Sequence, residues 1–188
     1  MHSLGPRVRF AAPLIALHWV TLILIACVYA LMEFRSIFPK GSPNYLLMRN
    51  WHYALGISIW LMTFARLGIR IATGRPAITP RPPSWQERAA WVVEVLLYVL
   101  LLSVPLLGWL MMNAGDRQPW FFGLQLPTLM QANSELRPQF KQWHIWIADV
   151  GYALIALHAA AALWHHFVQR DDTIKRMMFS RRRPSRWL

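Results

Sequence analysis

The chain has 188 residues, of which 56% are hydrophobic and only 15% are charged. This composition, with eleven Trp and nine Met, is atypical of a soluble domain and typical of a small membrane protein with several spans. The net charge of +12 would also suit nucleic-acid binding. Basic segments that orient a membrane protein and contact anionic lipid explain the charge more simply, so we expect no nucleic acid partner.

Four apolar stretches each approach or exceed the roughly 20 residues that a helix needs to cross the bilayer. They cover residues 11–32, 51–72, 89–112 and 143–168. Arg7 and Arg9 precede the first stretch as they would in a secretory signal, but the apolar run is too long for one and lacks a small-residue cleavage site. The sequence therefore predicts an all-α integral membrane protein, a four-transmembrane-helix bundle that forms one domain over residues 1–188.

The segments between the apolar stretches contain residues that break helices. Residues 38–43 (FPKGSP) follow the first stretch and residues 74–84 (GRPAITPRPPS) follow the second, while residues 113–140 join the last two. Because proline cannot continue a helix, the chain is predicted to reverse in each. Within the third segment, residues 118–127 (QPWFFGLQLP) are aromatic enough that we expect them to lie on the membrane surface.

If the four stretches cross the membrane in turn, Lys and Arg residues are distributed unevenly between its two sides. One side holds fourteen, namely Arg7, Arg9, Arg66, Arg70, Arg75, Arg81, Arg88, Arg170, Lys175, Arg176, Arg181, Arg182, Arg183 and Arg186. The other side holds six, namely Arg35, Lys40, Arg49, Arg117, Arg137 and Lys141. Because basic residues accumulate on the cytoplasmic side of a membrane protein, the sequence predicts that both termini are cytoplasmic.

Six of the seven histidines lie inside the predicted spans, where ionisable residues are costly and commonly functional, and four of the six match in depth. His144 and His158 lie on the fourth span, fourteen residues apart. At about 100° per residue they share one helix face, and at about 1.5 Å per residue they lie roughly 21 Å apart along the axis. His52 of the second span matches His144 in depth, and His18 of the first matches His158.

Two imidazoles that face each other across a helix bundle are suitable axial ligands for a haem iron. A zinc site would need more ligands, and no cysteine or carboxylate cluster supplies them. The chain has one cysteine, so the CxxCH motif of covalently bound haem is missing. Gly56 and Gly151 would give a flat porphyrin room near the backbone, or would serve ordinary helix packing. The alternative for the histidines is that they are hydrogen-bonded polar residues of the core.

Several longer phrases of the chain resemble the bacterial di-haem cytochrome b561 family, and within it the compact members regarded as superoxide oxidases that reduce ubiquinone. These phrases are LHW (17–19), MEFRSIFP (32–39), FARLGIR (64–70), VPLLGWLMM (104–112), QPWFFGLQLP (118–127) and GYALIALHAAAALWHHF (151–167). The resemblance implies two haem b groups, bound by the His18–His158 and His52–His144 pairs, in the bacterial inner membrane. Some members carry histidines early in the third span, where this chain has AAWVVE (89–94) and none.

The resemblance also implies a function. Superoxide would give an electron at the periplasmic haem, the electron would pass to the cytoplasmic haem, and ubiquinone would be reduced there, with two superoxides for each quinol. The outer loops carry net positive charge, which would attract an anionic donor. The same charges would also be expected if they were merely solvated loop residues.

Five further residues are candidates for supporting roles. His165, His166 and Glu94 lie near the cytoplasmic end, where they would bind quinone or relay protons, or would simply reach towards water at the interface. Arg66 and Arg70 would pair with haem propionates, or would anchor the topology.

Two other functions are compatible with the pattern. Cytochrome b subunits that pass electrons between a periplasmic dehydrogenase or hydrogenase and quinone share the resemblance, but they need a catalytic partner. Because the loops of this chain are short, we expect no obligate protein partner. The second alternative is a haem-free membrane anchor or transporter, which a reduced-minus-oxidised absorbance spectrum would distinguish.

Overall fold

The computed structural model describes residues 9–179, which form four long helices, a small hairpin and two short 3₁₀ turns. The helices are α1 (Ala12–Phe34), α2 (Pro43–Thr73), α3 (Ser84–Ala114) and α4 (Leu136–Phe167), and the strands are β1 (Trp120–Phe121) and β2 (Leu124–Gln125). The turns are Arg35–Ile37 and Lys175–Met177. Arg7 and residues 181–186, which were counted to predict the orientation in the membrane, lie outside the described residues.

All four helices are long and apolar enough to cross a membrane, which confirms the predicted four-helix bundle. Three of them, α2 to α4, begin five to eight residues before the predicted spans. An apolar run marks only the part of a helix that lies in hydrocarbon, whereas the helix itself begins at its capping residue. In α2 that residue is Ser42, whose side chain accepts a hydrogen bond from the backbone N–H of Tyr45 at 3.3 Å, and Pro43 follows as the first helical residue.

The aromatic segment after α3 forms a two-stranded antiparallel hairpin, which the sequence did not predict. Its two-residue loop is Phe122 and Gly123, with φ angles of 48° and 90°. Tight hairpins need such positive φ values, and phenylalanine rarely adopts them. The usual sequence signal, Asn or Asp before Gly, is therefore missing here.

The helices pack closely as two pairs, α1 with α2 and α3 with α4. The backbones of α1 and α4 stay further apart, and side chains bridge the space between them. The Tyr29 hydroxyl donates to the Ala148 carbonyl at 2.7 Å, and the Tyr152 hydroxyl donates to Glu33 at 2.7 Å. The two tyrosine rings lie 4.2 Å apart. The bundle thus leaves room between its two halves.

Residues 168–179, here named the C-terminal strap, fold back over the end of the bundle. The backbone N–H of Phe10 donates to the Arg176 carbonyl at 3.3 Å, and the Trp19 indole donates to the Met177 carbonyl at 2.8 Å. The buried Arg176 side chain pairs with Asp172 at 3.2 Å. Both ends of the described chain therefore lie at the same end of the bundle. That this end is cytoplasmic stays a prediction.

Candidate functional site

The histidines of the spans meet in two pairs across the bundle. The ring centroids of His52 and His144, here named the His52 pair, lie 6.1 Å apart. Those of His18 and His158, the His18 pair, lie 6.3 Å apart. In both pairs α4 supplies one ring, and the partner comes from α1 or α2. The structure thus brings together the residues whose depths match in the sequence.

The separation within each pair suits one metal ion between two rings. A metal–imidazole bond is about 2 Å long and the ring centre lies about 1 Å behind the bonding nitrogen, so two axial ligands place their centroids about 6 Å apart. Among residues 9–179, no group of three or more His, Cys, Asp or Glu side chains is placed to hold a metal ion. Paired imidazoles with no further protein ligand are the donor set for a haem iron, not for zinc.

The rings of the His52 pair are oriented by backbone carbonyls. His144 donates from Nδ1 to the Val104 carbonyl at 2.8 Å, and His52 approaches the Val28 carbonyl through Nδ1 at 3.4 Å. A carbonyl can only accept, so each Nδ1 carries the proton and each Nε2 keeps the lone pair that an iron needs. Such bonds also raise the basicity of a ligand imidazole. These contacts therefore leave Nε2 of both rings free to bind a metal ion.

A cavity of about 340 Å³ surrounds the His52 pair and includes Gly56 and Gly108 in its lining. A Cβ atom at Gly56 would meet open space, whereas one at Gly108 would lie 3.2 Å from the His144 ring. Gly108 therefore makes room for the ring itself. Gly151 serves a different purpose, because a Cβ atom there would collide with the Tyr29 hydroxyl. At Gly151 the structure favours helix packing over room for a porphyrin.

Replacing Gly108 with Val should displace the His144 ring, because the added carbons occupy its space in a tightly packed interior. We expect the Gly108→Val variant to lose haem from the His52 pair in a pyridine haemochrome assay. Gly68→Val is the matched control, since a Cβ atom at helical Gly68 meets nothing within 4 Å. Equal haem content in the two variants would contradict the role of Gly108.

Arg66 contacts the His18 pair. Its Nη2 atom lies 3.3 Å from Nδ1 of His18, and its Nε atom is buried with no hydrogen-bond partner among the described residues. A guanidinium can only donate, so Nδ1 of His18 is the acceptor in this contact. A buried donor without an acceptor suits an anionic carboxylate such as a haem propionate. Turning Arg66 to that carboxylate would free Nδ1 of His18 and let its Nε2 bind iron.

Arg70 and Glu94 contact each other. Arg70 Nε lies 3.1 Å from Glu94 Oε1, and Arg75 binds the other oxygen of the same carboxylate. The two residues were predicted to have separate roles, Arg70 at a propionate and Glu94 in a quinone or proton path. The structure joins them in one ion-paired cluster towards the end of the bundle that the C-terminal strap covers.

His165 and His166 differ in their partners. His165 Nδ1 lies 2.6 Å from the buried carboxylate of Asp171, whose other oxygen accepts from the Thr173 backbone N–H at 2.9 Å. Burial by itself would raise the pKa of Asp171, but the hydrogen bonds from Thr173 and His165 outweigh it and hold the pKa below its usual range. Asp171 therefore stays ionised at neutral pH. His166 Nδ1 is buried and has no partner within residues 9–179.

Sequence reasoning did not identify Asp171 as part of the site. It lies four residues beyond the end of α4, in a segment without apolar periodicity. Only the fold of the C-terminal strap returns it to the last turn of the helix.

Comparison with known proteins places the chain among membrane cytochromes. The family model described as prokaryotic cytochrome b561 matches residues 9–180. Cytochrome b561 homolog 1 of Escherichia coli (strain K12) is 45% identical over 170 residues, which are 90% of this chain and 97% of that protein. The probable superoxide oxidase CybB of Yersinia pestis is 30% identical over 174 residues, or 93% of this chain and 98% of that protein. Cytochrome b562 of Cereibacter sphaeroides is 28% identical over 173 residues, covering 87% and 91%.

Proposed function

The chain belongs to the prokaryotic cytochrome b561 family of multi-pass membrane electron-transfer proteins that bind haem b, and from this membership we propose that it passes electrons from superoxide to ubiquinone through two haem b groups. The observation that carries the proposal is that four histidines face each other in two pairs. The ring centroids lie 6.1 Å apart in one pair and 6.3 Å apart in the other. His18 with His158 and His52 with His144 are the proposed axial ligands.

Haem b, when bound, supplies one-electron chemistry, and two imidazoles per iron leave no open position for oxygen. The chain's own residues provide the rest. The carbonyls of Val28 and Val104 orient the rings of the His52 pair, and Arg66, which contacts His18, is the proposed partner of a haem propionate. The two pairs lie at different depths, roughly 21 Å apart along α4. Electrons can therefore cross the membrane inside one chain.

Two observations support superoxide as the electron donor. A relative that covers almost the whole chain is named a probable superoxide oxidase. The cavity around the His52 pair has Arg35 and Lys141 in its lining beside Glu33 and Asp149, and this side of the chain as a whole carries six Lys and Arg against four Asp and Glu. A region of net positive charge attracts small anions and raises their rate of encounter. Donor oxidation is therefore proposed at the His52 pair.

The proposed orientation has the C-terminal strap in the cytoplasm and the His52 pair near the periplasm. It rests on the fourteen basic residues on one side against six on the other. The proposed location is the bacterial inner membrane, and the proposed partners are lipid, superoxide and quinone, with no obligate protein partner.

The His18 end of the bundle suits a reaction that consumes protons. Two superoxide anions, one ubiquinone and two protons would yield two molecules of oxygen and one quinol. His165 contacts the ionised Asp171, and a histidine oriented by a carboxylate is a common general acid or base in proteins. His165 is therefore the proposed proton donor to quinone, the Glu94–Arg70 cluster is a proposed part of the same path, and His166 is the weaker candidate.

Replacing His165 with Ala should slow quinol formation without slowing haem reduction by superoxide, because the two reactions occur at opposite ends of the bundle. Loss of a positioned acid or base typically slows a reaction about a hundredfold or more. Stopped-flow absorbance would follow haem reduction and then its reoxidation by quinone.

His166→Ala is the matched control for that experiment. His166 is the next residue on the same helix and points about 100° away, and it lacks the Asp171 contact, so its replacement should have the smaller effect. Equal reoxidation rates in wild type and His165→Ala would move the proton donor elsewhere.

The function as a whole is tested with the purified protein in detergent. A reduced-minus-oxidised spectrum should show b-type haem, and superoxide added with a short-chain ubiquinone should produce quinol. A b-type spectrum without superoxide-driven quinol formation would favour the alternative, a cytochrome b subunit that serves a dehydrogenase or hydrogenase. The absence of haem would favour an anchor or transporter.

A further inference from the structure

A second cavity, of about 740 Å³, lies beside the His52 pair at the end of the bundle opposite the C-terminal strap. Its aromatic wall includes Trp51, Tyr53, Trp120 and Phe122. Trp51 and Phe122 meet edge to face with their ring centroids 6.1 Å apart, which fixes the hairpin against α2. Sites for organic ligands have this size and aromatic character. A diatomic anion such as superoxide would need far less room.

The charged groups of this cavity are both cations that can only donate hydrogen bonds. Arg49 and Arg117 line it, and its lining includes no carboxylate. The Arg49 Nε atom is buried and has no hydrogen-bond partner among residues 9–179. The Arg49 guanidinium lies 6.0 Å from the centroid of the Tyr53 ring, which shields one side of it from water. The cavity therefore suits a ligand with acceptor oxygen atoms.

The second cavity adjoins the cavity of the His52 pair. Tyr53 and Met112 line both of them, so the two cavities share part of one wall. On its outer side the second cavity reaches Leu47 and Trp120, which are 55% and 59% exposed. Exposed apolar side chains at this depth would face the lipid interface. An occupant could thus keep its head beside the electron-transfer site and its tail in lipid.

We infer that this second cavity binds the headgroup of an isoprenoid quinone. A quinone has a planar ring for the aromatic wall, carbonyl oxygens for the two arginines and an apolar tail for the membrane. An anionic phospholipid headgroup would also suit the arginines, but it has no planar ring. The inference rests on the proposed function in taking quinone as the acceptor, and it adds a quinone site at the end opposite His165.

The test uses the purified haem-loaded protein in its oxidised state, without superoxide, and a photoreactive azido-ubiquinone as the probe. Mass spectrometry of the labelled peptides should find label within residues 47–54 and 117–125, and unlabelled short-chain ubiquinone should prevent it. In the double variant Arg49→Gln/Arg117→Gln, the quinone concentration that gives half-maximal labelling of these peptides should rise about tenfold, because two charged hydrogen-bond donors are lost.

The matched control is Lys40→Gln/Arg137→Gln. It removes the same charge from the same end of the bundle, but neither residue lines the cavity, so labelling should be unchanged. An equal loss in the control would overturn the inference, because a general field effect would then explain it. Label confined to the region of His165 would also overturn it while leaving the proposed function intact. Suppression of labelling by phosphatidylglycerol, but not by ubiquinone, would identify a lipid site instead.

Discussion

Replacing His144 or His158 with Ala should leave about one haem per chain in either variant, because each haem then loses half of its axial ligation. The two residues lie on the same helix but in different pairs, so the variants should lose different haems. Pyridine haemochrome assays give the content, and the reduced spectra of the two variants should differ. The double variant should bind none.

His166→Ala is a suitable control for these variants. It removes a histidine from the same helix, but the His166 ring packs against Phe167 and belongs to neither ring pair, so the variant should retain both haems. Full retention of haem in both the His144→Ala and the His158→Ala variants would rule out the ligand assignment. Loss of both haems from each single variant would show that the sites depend on one another for folding.

Reversing the charges of Arg35 and Lys141 to Glu should slow the reduction of haem by superoxide about tenfold or more, the lower range of electrostatic steering effects. Both residues line the cavity of the His52 pair, where they offset the charges of Glu33 and Asp149, so the double reversal would leave every charged group of the lining acidic. The wild-type rate should also fall as salt is added, since screening shortens the reach of the field to about 8 Å at physiological ionic strength. Stopped-flow reduction, with the haem content checked beforehand, measures both effects.

The comparison that isolates the cavity is Lys40→Glu/Arg137→Glu, which changes the net charge by the same amount at the same end of the bundle. Neither residue lines the cavity of the His52 pair, so the control should slow the reaction less. A rate that responds neither to salt nor to the Arg35 and Lys141 reversals would exclude steering.

The parts of the site that lie along one helix could be predicted from the sequence. His144 and His158 are separated by fourteen residues, and helix geometry alone places them on one face. Counting depth from the ends of the apolar stretches then paired them with His52 and His18. The structure brings these rings together, because four antiparallel spans leave little freedom in depth.

The parts that depend on helix rotation and on loop conformation could not be predicted. Gly108 lies against His144, and Arg70 lies against Glu94, only because of how α2, α3 and α4 turn their faces towards each other. The hydropathy of a span does not determine how its helix is rotated about its own axis. The hairpin depends on a positive φ angle at Phe122, and a phenylalanine in the sequence does not indicate such a backbone conformation.

The distribution of the histidines over the helices also determines when the protein can bind its cofactors. Each pair needs one ring from α4, the last helix to leave the ribosome. A nascent chain that has inserted α1 to α3 holds only one ring of each pair, and neither iron has its second ligand. We therefore expect both haems to load after synthesis of α4, when the C-terminal strap also closes over Phe10 and Trp19. Haem would then be acquired only after all four helices have been made, and a chain cut short before α4 would reach the membrane without haem.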